Sequence, residues 1–185
     1  MGVLTQFLLK DPNIQLTAIE IDRESVAYLK EWYPELHLIE GDFLKLNLDI
    51  IYPEGEFNVI GNYPYNISSQ IFFKVLEYKD RIPVCSGMIQ KEVAERMQAG
   101  PGTKDYGALS LAVQYFSQPY IAANVPPNCF MPRPKIGSAV IRLTCHKEPP
   151  VKVSQEQMMF RIIRASFNQR RKTLANGLKN SQELQ

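Results

Sequence analysis

The stretch Gly61-Asn62-Tyr63-Pro64-Tyr65-Asn66 follows directly on the β-rich run FNVI (57–60), and its residue types suit one kind of chemistry. The exocyclic amine of a nucleobase is a poor nucleophile, because its lone pair is delocalised into the ring. The side-chain oxygen of Asn62 and the backbone carbonyl of Tyr63 accept the two amine hydrogens and favour a pyramidal, attacking nitrogen. Pro64 fixes the turn that aims the carbonyl, and the ring of Tyr65 stacks on an extruded base. No general base of high pKa is required, since the proton leaves after the new bond forms. A plain turn with a buried tyrosine is the competing explanation. Two carboxylates add a nucleotide theme. Glu20 closes the run LTAIEI (16–21), where its oxygens suit the hydroxyls of a ribose. Asp42, after Gly41, suits an adenine amine, with Ile21 or Phe43 supplying apolar contact to the ring. For each carboxylate taken alone, a helix cap or turn former is the simpler account.

These residues need elements to hold them. Val3, Leu4, Phe7 and Leu8 recur at helical spacing, so a helix spans 3–10 and ends at Asp11-Pro12-Asn13. Strands are expected at 16–21, 36–39, 57–60 and 84–89, and late ones at 119–125 and 138–144. Asp22 is placed to cap a helix running to Trp32, and Ser68 or Ser69 to cap one that carries Ile71, Phe72, Val75 and Leu76 on one face. Further helical patterns cover 91–98 and 107–116, while Pro126, Pro127, Pro132 and Pro134 rigidify the connection between the late strands. After Pro149-Pro150 come two basic helices, 154–167 and 171–180. The alternation argues for an α/β fold with a largely parallel sheet and a small helical unit behind it. Ligands in such folds bind beyond the carboxyl ends of the strands. Glu20, Asp42 and Asn62 each fall at or just past a strand end, on one expected edge.

Composition excludes several classes. With 185 residues, 45% hydrophobic and 22% charged, the chain is ordinary globular material, neither disordered nor coiled coil. A net charge of +2 says little, but its distribution is uneven. Residues 146–185 hold eight basic and three acidic side chains, against 13 and 16 in residues 1–145, which marks the C-terminal part for a polyanion. Cys85, Cys129 and Cys145 are widely spaced, and His37 and His146 are the only histidines, so no metal site is expected. No apolar run reaches the ~18–20 residues of a membrane span, and the start lacks a basic signal region, so a cytoplasmic protein with reduced thiols is expected.

The sequence resembles the ribosomal RNA adenine dimethyltransferase family. The matching stretches are AIEID (18–22), GDFLKLN (41–47), GNYPYNISSQI (61–71), QKEVAERMQAGPGTKDYGALS (90–110), FMPRPKIGSAVIRL (130–143) and FNQRRKTLANGLKN (167–180). The resemblance implies a Rossmann-like methyltransferase domain over 1–147 that uses S-adenosylmethionine (SAM), and a helical RNA-binding domain over 148–185. It implies dimethylation of the N6 amines of two adjacent adenosines in small-subunit ribosomal RNA, on a pre-30S particle, by a monomer without membrane or metal. It places Glu20, Ile21, Asp42, Phe43 and the turn at Gly2 on the cofactor, and Asn62 between cofactor and base. Tyr65 and Phe130 would flank the target adenine. Arg133, Lys135, Arg170, Arg171 and Lys172 would meet the RNA. Tyr63 stands where the family more usually has Leu, and only its backbone carbonyl is asked to act.

One departure concerns the start. The family carries a strand and a glycine-rich turn, E-x-G-x-G-x-G, before the helix that here begins near Val3, and only its final glycine corresponds to a residue present, Gly2. The expectation is therefore a fragment of a longer protein, shortened at both ends and itself inactive. Competing functions are a non-catalytic RNA-binding assembly factor, a resistance-type methyltransferase of large-subunit ribosomal RNA and a DNA adenine methyltransferase. The intact turn at 62–65 disfavours the first, the tail and the QKEV helix resemble small-subunit enzymes better than the second, and the third is the most distant.

Overall fold

A computed structural model of the chain describes residues 2–168, 171–179 and 181. The chain divides into two units, Met1–Gly55 and Glu56–Gln185. In the first, α1 (Val3–Leu8), β1 (Thr17–Glu20), α2 (Arg23–Trp32), β2 (His37–Glu40) and the short α3 (Leu48–Ile51) follow in order. Strands β1 and β2 pair in parallel with Glu20 opposite Glu40, and α2 makes the crossover that a parallel pair requires. Asp22 caps α2 as its position predicts. Its carboxylate accepts from the Ser25 N–H at 2.8 Å, a bond that holds the group below its ordinary pKa. Val26 and Leu29 form the buried stripe of α2. Gly2 heads α1 at φ 67°, a left-handed conformation suited to glycine, where a Cβ would lie 3.1 Å from the Tyr33 ring.

The second unit contains β3 (Val59–Asn62), α4 (Ser68–Glu77), β4 (Val84–Gln90), α5 (Lys91–Gln98), α6 (Ala108–Phe116), β5 (Ser117–Val125), β6 (Ser138–Cys145), α7 (Glu156–Asn168) and α8 (Leu174–Lys179). Its sheet runs β3-β4-β6-β5. Only the β3–β4 pair is parallel; β6 is antiparallel to both neighbours. The strands thus form a parallel pair and a mixed sheet, not the largely parallel sheet expected from the alternation of elements. The reason lies in residues 126–137. They hold one 3-10 turn and no crossover helix, so β6 returns against β5. Alternate residues of β4 and β6 make the core: Cys85 faces Leu143 and Ile89 faces Ala139 across the pair, all fully buried. Phe72 and Val75 of α4 are buried with them, each worth about 1.5–3 kcal/mol.

The expected apolar face of α4 is present, but neither serine caps it. Ile67 occupies the N-cap, and Ser68 is the first helical residue, its hydroxyl donating to the Tyr65 carbonyl. Helices α5 and α6 are tied by Ser110, which donates to the Arg96 carbonyl, and by Gln114, whose amide donates to the carbonyls of Met97 and Ala99. Helix α7 docks on α6 through Phe160, 5.6 Å from the Tyr115 ring, and through the Tyr115 hydroxyl, which donates to Glu156. No helix among the described residues is long and apolar enough to cross a membrane.

Burial pushes the Cys85 thiol from 9.0 up to about 12, whereas Cys129 is exposed. A thiol reagent at about pH 8 is expected to modify Cys129 in the folded protein and Cys85 only on unfolding. Equal rates for the two would contradict the buried placement of β4. Because folded Cys85 keeps its proton where an unfolded thiol loses it, its contribution to stability declines as pH rises from about 9 towards about 12.

Candidate active site

Asn62 is the last residue of β3, opposite Met88 of β4, two residues further along the strand than the β-rich run predicts. Its side chain is exposed, as is Pro64. The Tyr63 N–H donates to the Met88 carbonyl at 3.2 Å, which extends the pairing by one residue. The chain then turns: Ile67 N–H donates to the Pro64 carbonyl at 3.2 Å, and α4 begins. The half-buried Tyr65 hydroxyl is hydrogen-bonded to Ser138, the fully buried first residue of β6. That bond fixes the turn to the end of the segment carrying Phe130, Arg133 and Lys135. Phe130 is half-buried and closes the 3-10 turn Pro127–Cys129; Arg133 and Lys135 are exposed.

The Tyr63 side chain does more than the sequence asks of it. It is 7% exposed, its hydroxyl donates to the Ser86 carbonyl at 2.9 Å, and it lies 3.4 Å from Cys85 Sγ. Burial, with Cys85 beside it, holds the phenol well above 10.0, so it remains a neutral donor. The signal in the sequence was the pair Gly61 and Gly87, whose absent side chains make room for the ring.

In the first unit, Glu20 ends β1 with its carboxylate folded onto the start of α2. Oε1 accepts from the N–H groups of Ile21 at 2.8 Å and Asp22 at 2.9 Å. A ribose is therefore left mainly the second oxygen, where the sequence offered it both. Ile21 beside it is 63% exposed. Asp42 does form a turn: Oδ1 accepts from Leu44 N–H at 3.0 Å, while Oδ2 lies 3.9 Å from Lys45 Nζ. Phe43 is half-buried next to it. Both carboxylates thus have a local structural role, Glu20 through one oxygen and Asp42 through both.

Arg171 and Lys172 are exposed between α7 and α8; Arg170 lies outside the described residues. Sequence reasoning passed over Arg96 and Lys104. With Glu92, Asp105, Phe167 and Asn168 they line an open depression of about 350 Å³ between α5, α6 and the end of α7. Among the described residues, no cluster of His, Cys, Asp or Glu is arranged for a metal.

The family described as ribosomal RNA adenine dimethylase matches residues 1–185. The chain belongs to that family. It is 50% identical to ribosomal RNA small subunit methyltransferase A of Lachnoclostridium phytofermentans, over 100% of this chain and 66% of the relative. It is 52% identical to the protein of the same name from Bacteroides thetaiotaomicron, over 97% of this chain and 67% of that one. The chain thus spans about two thirds of the length of these relatives. The crystal structure of a dimethyladenosine transferase from Plasmodium falciparum superposes with a TM-score of 0.76 at 28% identity, covering 99% of this chain and 65% of that one. The 23S rRNA methyltransferase ErmE superposes with a TM-score of 0.76 at 24% identity, covering 98% and 73%, and shows the shared fold alone. As a dimethylase-family chain, the molecule has the expected α/β architecture with helices against its sheets.

Proposed function

We propose that the protein transfers methyl groups from SAM to the N6 amines of two adjacent adenosines in small-subunit (16S) ribosomal RNA, in ribosome biogenesis. The observation that carries this reading is the turn at 62–65. An exposed amide stands at a strand end, followed by a carbonyl on an anchored residue and a tyrosine ring tied at its hydroxyl. In this reading Asn62 Oδ1 and the Tyr63 carbonyl accept the two amine hydrogens, and Tyr65 stacks on the adenine, with Phe130 on its other face. Pro64 keeps the turn closed.

SAM, when bound, supplies an electrophilic methyl group that needs no metal. The donor set of the first unit suits it. The Glu20 oxygen not held by backbone N–H groups accepts from ribose hydroxyls, Asp42 Oδ2 accepts from an adenine amine, and exposed Ile21 with Phe43 gives apolar contact. Gly2, in its left-handed conformation and with its side-chain position closed by Tyr33, is assigned the turn that meets the cofactor. The functional boundary is proposed at 147/148, the helices after it contributing phosphate contacts. The partner is ribosomal RNA in a pre-30S particle, met by a cytoplasmic monomer.

The test is methyl transfer from labelled SAM to unmethylated 16S RNA by the full-length gene product, with product nucleosides identified. Dimethyladenosine at two neighbouring positions is expected. Labelling of 23S RNA alone, or none, would overturn the proposal. Neutralising Arg170, Arg171 and Lys172 together is expected to weaken cognate and scrambled RNA alike, and to flatten the dependence of log K on log salt by about 0.7–0.9 per lost phosphate contact. A changed sequence preference with an unchanged slope would instead mean base readout.

A further inference from the structure

Gly61 and Gly87 face each other across the parallel pair β3–β4, and the ring of Tyr63 lies over both. A Cβ on Gly61 would stand 2.6 Å from Tyr63 Cε1. One on Gly87 would stand 2.1 Å from Tyr63 Cε2 and 2.7 Å from the Gly61 carbonyl oxygen, a backbone atom that shifts only at a cost. The ring is held on its other sides as well. Its hydroxyl donates to the Ser86 carbonyl at 2.9 Å, and it meets Phe72 edge-on with centroids 5.4 Å apart. The residue so anchored sits between exposed Asn62 and exposed Pro64.

We propose that Gly87 is a positioning residue: its bare backbone is the seat for the Tyr63 ring, and the seated ring sets the direction of the Asn62 amide and the Tyr63 carbonyl. The inference rests on the reading of those two groups as acceptors of the target amine. A side chain at 87 forces the ring off the sheet, and the backbone joining Asn62 to Pro64 moves with it. Displacements of about 1 Å at reacting groups cost about a hundredfold in rate. A purely structural role for the seat predicts otherwise, namely lower stability with unchanged turnover in the molecules that remain folded. The aromatic at 63 and the glycine at 87 are therefore matched to each other, although 24 positions separate them.

The experiment compares Gly87→Ala, Tyr63→Leu and the two together in the full-length gene product, by kcat and KM for methyl transfer to 16S RNA and by thermal unfolding. Folded Gly87→Ala is expected to lose about a hundredfold in kcat with its RNA KM almost unchanged, because exposed basic side chains elsewhere set RNA affinity. Tyr63→Leu is expected to lose kcat in the same pattern. Together, the smaller side chain removes the clash with the ring and leaves only the close approach to the Gly61 carbonyl, so kcat recovers in part, about tenfold over Gly87→Ala. Wild-type kcat in folded Gly87→Ala, or no recovery in the pair, would overturn the inference. If Gly87→Ala does not fold, the comparison passes to Tyr63→Leu alone, and wild-type kcat in folded Tyr63→Leu is then the overturning result. A wild-type protein that transfers no methyl group would instead defeat the functional reading itself.

Discussion

Replacing Asn62 by Ala in the full-length gene product is expected to lower kcat by about 10²–10³-fold while leaving SAM affinity within a few-fold of wild type. The amide oxygen is one of only two acceptors assigned to the target amine, and the other, the Tyr63 carbonyl, is covalently fixed. An acceptor placed where a charge or lone pair develops in the transition state is worth about 3–4 kcal/mol there and little in the ground state. Cofactor binding is assigned chiefly to Glu20, at the end of β1, and Asp42, in the turn after β2. The side chain of Asn62 is exposed, so its loss is expected to leave the unfolding temperature almost unchanged. Steady-state kinetics with equilibrium SAM binding checks all three expectations. Near-normal turnover would remove Asn62 from the mechanism, and a collapse of SAM binding would make it a cofactor ligand first.

Tyr65 yields the second large effect. Tyr65→Ala removes both the ring that stacks on the base and the hydroxyl bonded to Ser138, and kcat/KM is expected to fall by the equivalent of about 1–3 kcal/mol from stacking alone. Tyr65→Phe keeps the ring face and leaves the fully buried Ser138 hydroxyl without that partner. Its expected cost is about 1–3 kcal/mol of stability, with a smaller loss of activity. Adding Ser138→Ala to Tyr65→Phe removes the stranded hydroxyl and is expected to return most of that stability. If Tyr65→Phe is as slow as Tyr65→Ala, the hydroxyl matters more than the face and the stacking role falls.

The two substitutions probe parts of the protein that were unequally legible beforehand. Local order was read well where it depends on neighbours in the chain. Asp22 caps α2 because its carboxylate is three residues from the N–H it accepts, and the apolar spacing of Ile71, Phe72, Val75 and Leu76 names the buried face of α4. The turn at 62–65 was visible because Pro64 restricts the backbone of its own neighbourhood. Ser68 misled for a related reason: a serine beside a helix start caps only if the residue before the helix is the serine itself, and here that residue is Ile67.

What the tertiary structure decided are the relations that need distant segments to meet. The sheet is mixed because β6 inserts between β4 and β5, a choice made by long-range pairing and not by any residue within β6. The Tyr65–Ser138 bond spans 73 positions. Tyr63 reads in the sequence as a backbone carbonyl within a motif, and becomes a buried anchor only when the register of β3 on β4 sets Gly87 directly opposite Gly61. The sequence by itself determined which residues are available for the proposed chemistry, since side-chain type and local turn geometry are properties of a few adjacent residues. Their aim was decided by the fold, because a ring finds its seat only after two strands have paired and cleared the space it fills.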